Sequence, residues 1–298
     1  MRAIRHILVV NGQKVRQPVF VLGAPHSGTG LLARALKRSN EFHLTIGRPN
    51  VLRVIYAFAR RPSIRRGRDD AAARVLRDAF AEAWQVSSHG CLECAAACRQ
   101  AGEFGGVGPC VDAPSIRRYA DASPDLLYCA HVLVQAFPDA QLVQLVRDGR
   151  DVVADMLADD AALAWFRPSF SNVDSEFPNP FFGVETEADR ARWQRASLTG
   201  KCALRWRGAV RLAARLRNDL SQQQLTTLRY EDVVRDPRRA AVTVSDFIGA
   251  RAAAPTAGPG TRDASAAGTG AWRRRLTSEQ ADEVEKLAGE DLRRVGYT

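Results

Sequence analysis

FVLGAPHSGTGLLARAL, Phe20–Leu36, decides how this chain reads. An apolar run ends in Gly23, a short polar turn follows, and helical spacing of apolar residues begins near Thr29. Gly23, Gly28 and Gly30 leave the backbone free to curl and to point N–H groups at one anion. A helix starting there adds its positive end, and Ser27 and Thr29 offer hydroxyl donors. Against the nucleoside-triphosphate pattern G-x-x-x-x-G-K-S/T, Gly23 and Gly28 fit. Thr29 stands where the lysine belongs, and Gly30 where the magnesium-binding Ser or Thr belongs. The loop reads as an anion cradle without the parts that handle a magnesium-bound triphosphate. A tight strand–helix turn holding no ligand is the other reading.

Strands and helices alternate outward from the loop. HILVV (6–10), PVFVLG (18–23), AQLVQLV (140–146) and QLTTLRY (224–230) are apolar runs bounded by turn residues, as buried strands are. VLRVIYAFARR (51–61), DDAAARVLRDAFAEAW (69–84), GRDVVADML (149–157) and RRAAVTVSDFIGA (238–250) have helical spacing. So does a long stretch carrying Leu204, Val210, Leu212 and Leu216 on its apolar side. SPDLLYCAHVLVQAF (123–137) reads as a helix with Ser123 as N-cap and Pro124 in its first position. Residues 160–185 show little periodicity and suggest a lid or substrate loop. The last helix opens on a Thr277/Gln280 capping box and stops at Gly296. The expected architecture is α/β: three layers, a mostly parallel central sheet with helices on both faces, and a P-loop-like anion loop. It forms a single domain over 1–298. A helical, Cys-rich insertion falls at about 50–118, and a mobile Ala/Gly/Pro/Thr-rich segment at about 251–270.

Composition narrows the partners. The chain has 298 residues, 46% of them hydrophobic, enough for a real core. Its formal charge of +10 suits an anionic partner, and nearly all the basic residues are Arg, with Lys only at 14, 37, 201 and 286. No apolar run is long enough to span a membrane, and no signal peptide is evident, so a cytoplasmic location is expected. The basic runs RRPSIRRGR (60–68) and WRRR (272–275) lack interleaved aromatics on a nucleic-acid module. They read as solvated faces or as contacts for an anionic acceptor, and no nucleic-acid partner is expected. The sequence leaves the oligomeric state open.

GAPHSGTGLL (23–32) resembles the 5′-phosphosulfate loop of sulfotransferases that use 3′-phosphoadenosine 5′-phosphosulfate (PAPS), usually G-x-P-R/K-S-G-T. Three further blocks follow in family order. Residues 121–157 are similar to the block that runs from D-K-S/T-P through F-P-D-A to L-V-R-D-x-R-D-V-V. LRYEDVVRDP (228–237) resembles the block before the last core helix, and AWRRRLTSEQ (271–280) the C-terminal one. The resemblance implies sulfuryl transfer from PAPS, without a metal at that step, to a hydroxyl or amine of a small molecule or carbohydrate. It places Gly23, Pro25, His26, Ser27, Gly28, Thr29 and Gly30 around the 5′-phosphosulfate. His26 takes the usual Arg/Lys position beside the departing oxygen. Arg147 falls on the 3′-phosphate, and Asp155 replaces a Ser that also serves it. Arg150 reads as an exposed residue at a helix start. If Arg147 binds no donor, Asp148 or Asp151 is its expected partner.

Other departures bear on the acceptor. Arg48 replaces a Glu, and Ala122 a Lys. An attacking alcohol must lose a proton, and the candidate bases are Asp121, His43, His131 and Asp112. Asp121 has the best position by resemblance. Arg48 suits an acidic acceptor. A silent nucleotide-binding protein of this fold and a triphosphate-dependent phosphotransferase are the alternative functions. Cys91, Cys94 and Cys98, with Cys110 further on and His89 just before, have spacing that fits a structural zinc site. Small buried thiols or a redox-sensitive pair remain open. Cys129 and Cys202 read as isolated core thiols.

Overall fold

The protein is described by a computed structural model that covers residues 7–39, 41–64, 66–87, 90–91, 96–103, 110–111, 113–255 and 268–298. Five strands form the central sheet: β1 (Val19–Gly23), β2 (Phe42–Thr45), β3 (Arg118–Asp121), β4 (Gln141–Val146) and β5 (Leu225–Arg229). The main helices are α1 (Thr29–Lys37), α2 (Pro49–Arg60), α3 (Asp69–Ala83), α4 (Ala130–Ala136), α5 (Gly149–Leu157), α6 (Leu198–Asp219), α7 (Pro237–Ile248) and α8 (Ser278–Arg294). The strand order is β2-β3-β1-β4-β5, with every neighbouring pair parallel.

Both sheet faces are buried, which explains the unbroken apolar runs of β1 and β4. Phe20, Leu22, Leu142 and Val146 point into a core shared with α2, α3, α4 and α6. Val19, Val21, Val143 and Leu145 point the other way, against α1 and α7. Alternate residues thus serve opposite layers, as the two-residue period of a strand requires. From β1 the chain leaves toward β2 at one edge; from β4 it leaves toward β5 at the other. Between β1 and β4 this reversal opens a crevice at the strands' C-terminal ends, where ligands bind in open parallel sheets.

Local sequence signals fail where long-range contacts override them. Ser123 caps no helix: its hydroxyl accepts the N–H of Gly47, and its own N–H donates to Asp121. Asp125 takes a left-handed conformation, a 3-10 turn covers Leu126–Cys129, and the α-helix begins only at Ala130. The 160–185 stretch is anchored at its C-terminal end, where Phe181, Phe182 and Val184 are fully buried, while Phe170 is exposed. Phe182 meets Trp193 at 5.1 Å, and Phe181 meets Tyr128 at 5.1 Å. The Thr277/Gln280 capping box is present as read. Of the expected mobile segment, residues 256–267 lie outside the described residues. No helix among the described residues is long and apolar enough to cross a membrane.

Candidate active site

The anion loop joins β1 to α1 at the crevice. Gly28 has φ +87°, and a Cβ there would lie 2.5 Å from the Tyr230 ring. Only glycine lets the loop pass so close to Tyr230 while turning into the helix. The Leu31 N–H donates to the carbonyl of Gly28 at 2.9 Å, and Thr29 and Gly30, whose amides open α1, are half-buried at its mouth. Ser27 is buried within the loop. Its N–H donates to the carbonyl of Ala24, and its hydroxyl is buried without a partner. Below it is a cavity of about 10 Å³ lined by Gln144, Arg147 and Trp206. His26 is in the left-handed region at φ +59°, and its Nε2 lies 3.1 Å from the carboxylate of Asp159. Asp159 also accepts the N–H of Ala161 as the cap of a short helix. The cap was readable in sequence; its tie to His26 was not.

Arg147 follows β4 directly and is 2% exposed. One of its nitrogens donates to Asp155 at 2.6 Å and to the carbonyl of His26 at 2.8 Å. The other terminal nitrogen donates to the carbonyl of Gly268 at 3.3 Å, and the guanidinium lies over the Tyr230 ring at 4.6 Å. The Arg147 partner is therefore Asp155, not the nearer Asp148 or Asp151. The second oxygen of Asp155 pairs with Arg275. Burial pushes the Asp155 pKa up, but Arg275 and Arg147 outweigh it and hold the carboxyl below its ordinary range. Arg150 is buried rather than exposed: it forks onto Asp148 and stacks on Trp272 at 4.5 Å.

A strap from Gly268 to Arg275 crosses α5 beside Arg147. Asp151 accepts the N–H groups of Gly270 at 2.7 Å and of Trp272 at 2.8 Å. Arg275 adds a bond to the carbonyl of Ala154 at 2.8 Å. Burial raises the pKa of Asp151 against the pull of these two amides.

The other side of the crevice is formed by the ends of β2 and β3. Asp121 is fully buried and pairs in register with Phe20 and Thr45. It accepts the Thr45 hydroxyl at 2.6 Å and the Ser123 N–H at 2.7 Å. Burial pushes its pKa up to about 6 despite these bonds and the charge of Arg48. Arg48 is itself buried and donates twice to the carbonyl of Ala83, which fixes it to the end of α3. Of the other candidate bases, His43 is buried beside Cys110, and burial lowers its pKa. His131 is on α4, and Asp112 lies outside the described residues.

Two of the four candidate zinc ligands are described. Cys98 is buried and accepts from the Lys37 ammonium at 2.9 Å, and Cys110 bonds His43. The Cys91 side chain, Cys94 and His89 lie outside the described residues. Among the described residues no group of three or more His, Cys, Asp or Glu is placed to hold a metal, so the zinc expectation gains no support. Cys129 and Cys202 are buried core thiols, and the Cys129 thiol donates to the carbonyl of Ile55 at 3.3 Å.

The sulfotransferase family model matches residues 18–253. A sulfotransferase domain from the curacin biosynthetic pathway is similar in fold, with a TM-score of 0.51 and 13% identity, over 95% of this chain and 99% of that one. The sulfotransferase domain of the Synechococcus PCC 7002 olefin synthase is 16% identical over 91% of this chain and 94% of its own, with a TM-score of 0.47. A mouse sulfotransferase complexed with PAP is 14% identical over 96% and 88% respectively, with a TM-score of 0.46. None of the curated proteins matches the chain significantly in sequence.

Proposed function

The chain belongs to the sulfotransferase family, and we propose that it moves a sulfuryl group from PAPS to a hydroxyl of a small molecule or carbohydrate. The observation that carries this reading is the glycine cradle at the β1–β4 crevice. It lacks the lysine and magnesium ligand of triphosphate loops and opens beside Arg147. In the proposed reaction the acceptor oxygen attacks sulfur in line. Its proton passes to a base, and the bond from sulfur to the bridging phosphate oxygen breaks, leaving the electron pair on the 5′-phosphate. The amides of Gly28, Thr29 and Gly30 and the imidazole of His26 take up that developing charge. Asp159 accepts from Nε2 and holds the ring in place, so Nδ1 donates to the leaving oxygen when both ring nitrogens carry protons. Asp121 is the proposed base, because its raised pKa places it near working pH. Pro25 and Gly23 shape the turn, and Arg147 serves the ribose end of the donor.

A second reading, nucleotide binding without transfer, draws support from one observation: both oxygens of Asp121 are already engaged and the carboxylate is sealed from solvent. Thermal unfolding with ligands tests the binding, and donor consumption separates the two readings. Adenosine 3′,5′-bisphosphate at about 100 times its Kd should add ~2.7 kcal/mol of stability. ATP with magnesium should add little. Stabilisation by ATP and magnesium alone would overturn the PAPS reading and favour the phosphotransferase.

A further inference from the structure

We infer that Asp155 sets how this crevice reads the 3′ end of a bound nucleotide. It fills the gap between Arg147 and Arg275 with a carboxylate and removes most of the affinity that a ribose 3′-phosphate adds. The inference rests on the reading of the crevice as a nucleotide site. A nucleotide whose 5′ group lies on the Gly28–Gly30 amides lays its sugar over the β1–β4 edge. That edge is occupied by Arg147, which reaches back to the carbonyl of His26 in the loop itself.

Arg147, Asp155 and Arg275 already have partners. The guanidinium of Arg147 is divided between Asp155, two carbonyls and the Tyr230 ring. Arg275 holds the other oxygen of Asp155, and Asp151 adds a second carboxylate within reach of Arg147. Among the described residues two guanidinium groups, Arg147 and Arg275, thus face two carboxylates, so neither meets an arriving dianion uncompensated. Asp155 has 20% of its side chain exposed, enough to meet a ligand. A phosphate arriving there meets an ionised carboxylate at close range, which is unfavourable in a partly desolvated site. A ribose 3′-hydroxyl meets an acceptor. In dinucleotide-binding folds the same choice holds: a carboxylate reads a ribose hydroxyl, and an arginine accommodates a ribose phosphate.

Calorimetric titration of the full chain with adenosine 3′,5′-bisphosphate and with adenosine 5′-monophosphate decides the matter. Wild type should prefer the bisphosphate by less than ~30-fold. Asp155→Asn should bind the bisphosphate at least ~10-fold more tightly, with the monophosphate changed by less than ~3-fold. A wild-type preference above ~30-fold overturns the inference without reference to any variant, so poor folding of Asp155→Asn cannot hide the answer. Unchanged or weaker bisphosphate binding by Asp155→Asn overturns it as well and leaves the nucleotide reading intact. A folded wild type that binds neither nucleotide overturns the nucleotide reading itself and the inference with it.

Discussion

Asp121 and Asp155 face the same crevice from opposite sides, and their surroundings push them in opposite directions. Arg275 and Arg147 hold Asp155 ionised, while the Thr45 hydroxyl, the Ser123 amide and hydroxyl and the charge of Arg48 do not offset the burial of Asp121. The folded pKa of Asp121, about 6, lies above its unfolded value. The stability it contributes is therefore complete below pH ~4 and lost as the pH rises through its folded value. Asp121→Asn removes the cost of ionising a buried group. Its Tm should match wild type near pH 4 and exceed it at pH 8 by ~2–5 °C. If Asp121 is also the base, the variant loses ~100-fold or more in kcat, and the wild-type rate falls as the pH drops below about 6. Scanning calorimetry across pH and a donor-consumption assay test the two halves separately. A variant less stable than wild type at pH 8 would refute the electrostatic account. Full activity in the variant would remove Asp121 as base.

Among the elements, the strap at Gly268–Arg275 is held mainly by α5. Asp151 ties down two of its amides, and Arg150 stacks on Trp272. Asp151→Ala leaves both amides without that acceptor and should cost ~1–3 kcal/mol if the strap stays down. If it lifts instead, trypsin should cut at Arg273–Arg275 at least ~10-fold faster than in wild type. Equal cleavage and equal stability together would mean that Asp151 does not hold the strap. The sequence showed some elements plainly and hid others for a physical reason. β1, β4 and α1 were legible because burial on two faces leaves apolar runs, and the Gly28 turn because no other residue fits it; β2 and β3 were not read, and HILVV forms only a two-residue strand, Val9–Val10, outside the central sheet. The capping box at Thr277 is a local bond between residues three apart and was legible too. Ser123 misled because its partners, Gly47 and Asp121, are brought to it by strand pairing rather than by its own segment. Asp155 stood out as a departure, but its partner Arg275 is far along the chain and carries no periodic signal. Phe181 and Phe182 showed no period because they sit in a single 3-10 turn.

At the scale of the whole molecule, four consecutive residues of α6 hold the crevice walls in place. Arg205 pairs with Asp125, just past the end of β3, at 2.8 Å. The Trp206 indole donates to the carbonyl of Arg147 at the end of β4, and its ring lies against Gly149. Arg207 reaches the carbonyl of Gly183 at 3.1 Å, and Gly208 lets the helix touch the backbone of Pro180. The end of β3, the end of β4 and the 180–184 turn are thus fixed to one rigid element, as a site held to within fractions of an ångström needs. Arg205 is 1% exposed, lies over the Phe181 ring at 4.1 Å, and has Asp125 as its carboxylate partner. Asp125→Ala leaves a guanidinium buried without its counter-charge, which should cost ~3–5 kcal/mol. The Tm should fall by roughly 6–15 °C. Asp125 is four residues from Asp121, yet its removal should act in the opposite sense, because Asp125 is in direct contact with a buried guanidinium, while burial outweighs the charge of Arg48 at Asp121. Replacing Arg205 by Met as well should restore most of the loss, since a well-packed apolar pair tolerates this interior better than a lone charge. Denaturant unfolding of the two single variants and the double variant measures this coupling directly. A cost below ~1 kcal/mol for Asp125→Ala, or no recovery in the double variant, would show that the walls are joined by packing alone and not by this ion pair.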